Sequence, residues 1–99
     1  MNEILQRRFR ERLPVRLHEI EIRLNRLEEC PADHGVLLEI MRGFHSLAGI
    51  GGTYGCHDLT ARARVSELIC LDVLEGGRTV SAADVAILRE AVLSLATAA

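Results

Sequence analysis

His45 is the residue whose surroundings in this chain could support chemistry. At helical spacing on its own side it has Leu38 at i−7, Arg42 at i−3, Gly49 at i+4 and Gly52 at i+7. Two of these four neighbours carry no side chain, and a glycine inside a helix costs about 1 kcal/mol relative to alanine. Nothing therefore overhangs the imidazole from the following turns, and another protein's backbone or a phosphoryl group could come close to the ring. A neutral imidazole nitrogen is a nucleophile near neutral pH. Arg42 could supply positive charge beside it, and Leu38 an apolar docking contact. The same pattern also fits a plain boundary histidine, with the glycines serving close contacts between helices.

The other residues with chemical potential do not assemble by spacing. His18, His34 and His57 form none of the i,i+3 or i,i+4 pairs that metal sites in helical bundles use, so no metal site is expected. Cys30, Cys56 and Cys70 are odd in number and widely spaced, which reads as three reduced thiols in a cytoplasmic protein. Gly49-Ile50-Gly51-Gly52-Thr53-Tyr54 fails Gly-x-Gly-x-x-Gly at its last position, and the chain has no Lys for a phosphate-binding loop. A nucleotide cofactor and a kinase activity of its own are not expected. Twelve Arg face fourteen Asp and Glu, for a net charge of −2, which argues against an electrostatic nucleic-acid binder. The run Arg7-Arg8-Arg10-Arg12 is diluted by Glu3 and Glu11 and reads as a solvated helix face. No window approaches the ~18 consecutive apolar residues of a membrane span, and no leader-like apolar run follows the N-terminus.

Positioning His45 falls to helices. The 99 residues are one domain's worth of chain, spanning 1–99. Phe9, Phe44 and Tyr54 are the only aromatics, so the core is built from Leu, Ile, Val and Ala. Residues 2–12 form a short amphipathic segment with Ile4, Leu5 and Phe9 on one side, and Pro14 predicts a break or kink after it. Leu13, Leu17, Ile20, Leu24 and Leu27 then step by four, three, four and three as one stripe to about Glu29. A turn at Cys30-Pro31-Ala32-Asp33 leads into a helix opened by Pro31 or Asp33, which runs to Gly49 or Gly51. A glycine-rich joint follows, and then a helix from about His57 to Leu74, stopped by Gly76-Gly77. Ser81 with Asp84 three residues on caps a last helix to about Thr97. The expected fold class is all-α: an antiparallel four-helix bundle with a short extra N-terminal helix.

His45-Ser46-Leu47-Ala48-Gly49, with Gly55 ten residues after the histidine, resembles the histidine phosphotransfer (HPt) domain family, whose motif is His-x-Leu-Lys-Gly. Phe44, the stretch Gly52-Thr53-Tyr54-Gly55, Leu59, the Ala63/Glu67 spacing and Phe9-x-x-x-Leu13-Pro14 extend the likeness. The resemblance implies that His45 is the phosphoacceptor, that Gly49 keeps the ring accessible and that Leu47 is the core residue behind it. It implies response-regulator receiver domains and a sensor or hybrid histidine kinase as partners, with magnesium held by the receiver only. It implies a monomeric phosphorelay carrier in a two-component system. Ala48 stands where the family has Lys. Arg42 is the nearest substitute for that charge, with Arg62 and Arg64 on the following helix as further candidates. The departure also fits a different reading, a non-catalytic bundle that binds a receiver or kinase without accepting phosphate.

Overall fold

The computed structural model of the protein describes residues 3–99 as four helices: α1 Glu3–Glu29, α2 His34–Thr53, α3 His57–Gly76 and α4 Ala82–Leu95. No strand occurs among the described residues. Short turns join successive helices, and α1 packs on α2, α2 on α3, α3 on α4 and α4 back on α1. The result is an antiparallel four-helix bundle. At 1.5 Å per residue α1 alone spans about 40 Å, which accounts for the longest of the overall dimensions, 42 × 21 × 19 Å.

The break expected at Pro14 is absent. Residues 3–29 are one helix with Pro14 inside it, so no separate N-terminal helix precedes the bundle. Residue 2, where that short helix was expected to start, lies outside the described residues. Proline removes one backbone donor and crowds the carbonyl four residues back. Here Pro14 and Arg10 are both exposed. Meanwhile Phe9, Leu13, Leu17, Ile20, Leu24 and Leu27 are all buried in the same core. Burial of a stripe that continues on both sides of the proline outweighs the lost hydrogen bond.

Helix ends follow local chemistry. Asp33 is the N-cap of α2, its Oδ1 accepting from the Val36 N–H at 3.1 Å. Gly77 takes a left-handed conformation, φ +61°, and closes α3. Ser81 and Asp84 form a reciprocal capping box on α4. The Arg78 guanidinium at 2.7 Å and the Ser81 N–H at 3.0 Å hold the Asp84 carboxyl down at about 2. A carboxyl with its native pKa depressed stabilises the fold above its ordinary value near 4, and that contribution is lost as pH falls through 2. Asp84→Asn should therefore unfold at lower urea than the wild type at pH 6, and the difference should vanish near pH 2.

The cysteines are all free thiols. Cys70 is a core residue, and burial pushes its thiol up to about 12, whereas Cys30 is exposed.

The α2–α3 hairpin is the tightest part of the molecule. A Cβ added at Gly51 would lie 2.6 Å from Leu59 Cδ2 and 2.7 Å from Thr60 Oγ1. Glycine is needed there because the two helices converge. Helix α2 consequently runs past Gly51 to Thr53, beyond the expected end. Gly55, with φ +75°, makes the turn, and the Cys56 N–H returns to the Gly51 carbonyl at 2.7 Å.

Candidate functional site

His45 stands on the face of α2 nearest α3, and 67% of its side chain is exposed. Its Nδ1 lies 2.7 Å from Oε2 of Glu67 on α3, a carboxylate whose side chain is only 20% exposed. A carboxylate only accepts, so Nδ1 donates in this contact, which in a neutral ring leaves the lone pair on Nε2. The contact also fixes the plane of the ring. Among the described residues Nε2 has no hydrogen-bond partner within the chain. The arrangement is an exposed imidazole held from behind by a largely covered carboxylate.

Glu67 entered the sequence reading only through its spacing from Ala63, and its pairing with His45 was missed. A signal was present. His45 and Glu67 are each eleven residues from Cys56, the residue between α2 and α3, and 22 residues from each other. Antiparallel helices joined by a tight turn bring such equidistant positions level.

The glycines separate into two kinds. A Cβ at Gly49 would meet nothing within 4 Å, and one at Gly52 only Thr60 Oγ1 at 3.8 Å. Neither serves helix packing, so they leave the approach to His45 open. Gly43 and Gly51 do serve it: a Cβ at Gly43 would press on Ile20 Cγ1 at 3.1 Å, and Gly51 meets α3 as described above.

The remaining expected site residues divide likewise. Leu38 is half-buried on the His45 side of α2. Arg42 is exposed, one turn before His45, and also borders a groove toward α1 with Ser46 and Glu39. Arg64 is exposed and precedes Glu67 by one turn on the same side of α3. Arg62 is turned away to the α3–α4 seam, where its guanidinium binds Asp58 at 2.9 Å and the Ser94 carbonyl at 3.2 Å. Leu68, next to Glu67 and 61% exposed, adds an apolar contact that sequence reasoning did not single out.

Ala48 is 1% exposed, and its carbonyl accepts from Thr60 Oγ1 at 2.8 Å. Position 48 thus faces α3 and belongs to the core. The chain matches no family model and has no significant match among curated proteins or solved structures. Its functional reading rests on its own residues. Among the described residues, no group of three His, Cys, Asp or Glu is arranged to hold a metal ion. No helix there is long and apolar enough to cross a membrane.

Proposed function

We propose that this protein is a histidine phosphotransfer domain that carries a phosphoryl group on His45 between receiver domains of a cytoplasmic phosphorelay. The observation that carries the reading is the His45–Glu67 pair at 2.7 Å with its outer nitrogen open. The lone pair of Nε2 attacks phosphorus of a receiver's aspartyl phosphate. The P–O bond to the aspartyl carboxyl breaks, and its electron pair leaves with that carboxylate. The ring keeps its Nδ1 proton and becomes a phosphoimidazolium, whose positive charge the Glu67 carboxylate balances. Transfer to a second receiver runs the same steps in reverse.

In this reading magnesium and its acidic ligands would belong to the receiver, and the carrier would supply only a positioned nucleophile. Arg42, one turn before His45, and Arg64, one turn before Glu67, are both exposed and are the groups this reading assigns to the phosphoryl oxygens. Ala48, at the position of the Lys in the motif it resembles, is interior, so this reading takes the positive charge from elsewhere.

The test is incubation with phosphorylated receiver domains. Acid-labile, base-stable phosphate on the wild type supports the relay. No label from any receiver of the source organism, with binding retained, would establish the non-catalytic bundle instead. Glu67→Gln keeps the size of the side chain but loses the charge, and should slow transfer roughly 10- to 100-fold. An unchanged rate would remove Glu67 from the mechanism.

A further inference from the structure

The arginines of this chain fall into two groups. Arg23, Arg62, Arg78 and Arg89 each pair with an acid of the chain, namely Glu39, Asp58, Asp84 and Glu28. The other eight have no acidic partner among the described residues, and three of these, Arg8, Arg12 and Arg16, line one groove. Their i, i+4, i+8 spacing sets them in one row about 12 Å long on α1. The row edges a groove of about 290 Å³ between the first half of α1 and the last turns of α2. Phe9 and Tyr54, stacked with ring centroids 5.4 Å apart, and half-buried Ile50 give the groove an apolar floor. Gln6 Nε2 donates to the Tyr54 carbonyl at 2.8 Å and ties its two walls together.

The charge is local. Residues 3–16 hold five arginines against two glutamates, whereas residues 17–29 hold two arginines against four glutamates. A cationic rim without internal partners, above an apolar floor, is complementary to a segment carrying acids on either side of an apolar side chain.

We propose that this groove is a second docking site, which binds an acidic segment of a partner protein through Arg8, Arg12 and Arg16 and seats an apolar anchor against Tyr54 and Ile50. A polyphosphate backbone would leave the floor unused, and a flat lipid surface would not reach into a groove between two helices. The site is on the α1 side of α2, away from Glu67, and stands independently of phosphate transfer by His45.

Fluorescence anisotropy tests this with a labelled peptide of about a dozen residues in which Glu and Asp flank Leu and Phe. Saturable binding is expected, weakened at least about tenfold by the double variant Arg8→Glu/Arg12→Glu. These side chains are exposed, so circular dichroism should show the helices intact. Replacing Leu and Phe of the peptide by Ser should weaken binding several-fold, and His45→Gln should leave it unchanged. The proposal is overturned if the acidic peptide does not bind or the double variant binds it equally. Equal binding of the Ser peptide, or tighter binding to phosphatidylserine vesicles or duplex DNA, also overturns it.

Discussion

His45→Gln is expected to take up no phosphate from a charged receiver domain, and Gly49→Leu to take it up about a hundredfold more slowly than the wild type. Both variants should keep the wild-type helix content. Glutamine removes the nucleophilic nitrogen while retaining a polar side chain at an exposed position. The leucine acts differently. Side chains on a helix lean toward its N-terminus, so a side chain at position 49 folds back over the turn that carries His45. The space it enters is empty, with nothing within 4 Å of an added Cβ, so no packing is disturbed. Replacing an exposed helical glycine should if anything raise stability, by about 0.5–1 kcal/mol. Loss of transfer together with a higher melting temperature would separate steric blocking from misfolding. Undiminished transfer would show that the open face at Gly49 is irrelevant to the approach.

The second large effect concerns the residue before the histidine. Phe44 is fully buried and is the largest of the wholly enclosed side chains. Phe44→Ala should cost about 3–5 kcal/mol through lost burial and the cavity left behind. Domains of this kind are stable by only about 5–15 kcal/mol. A thermal melt followed by circular dichroism should therefore shift down by roughly 15–30 °C. A shift of only a few degrees would mean that neighbouring leucines collapse into the space.

How much of this was legible from residues alone depended on the range of the interaction. The apolar stripe of α1 and the Ser81–Asp84 box are local and formed where they were expected, and the structure chose Asp33 over Pro31 as the opening of α2 and Gly77 within Gly76-Gly77 as the stop of α3. Pro14 was misread because its local penalty was weighed without the core that holds both sides of it. The helix ends near Thr53 and Leu95 were displaced by a few residues from expectation, as terminal turns commonly are.

For the candidate site, the sequence by itself determined the exposed histidine on an amphipathic helix and the bare helical face beside it. Spacing of 3.6 residues per turn is enough to decide which side chains share a face. Only the tertiary structure decided what the other helices bring to that face. It assigned Gly43 and Gly51 to close helix contacts while leaving Gly49 and Gly52 open. It turned Arg62 toward α4, placed Ala48 in the core and set Glu67 against His45. Those outcomes depend on the register between antiparallel helices, set by the convergence at Gly51 and the turn at Gly55. Register is a long-range packing property, and one helix's periodicity does not encode it.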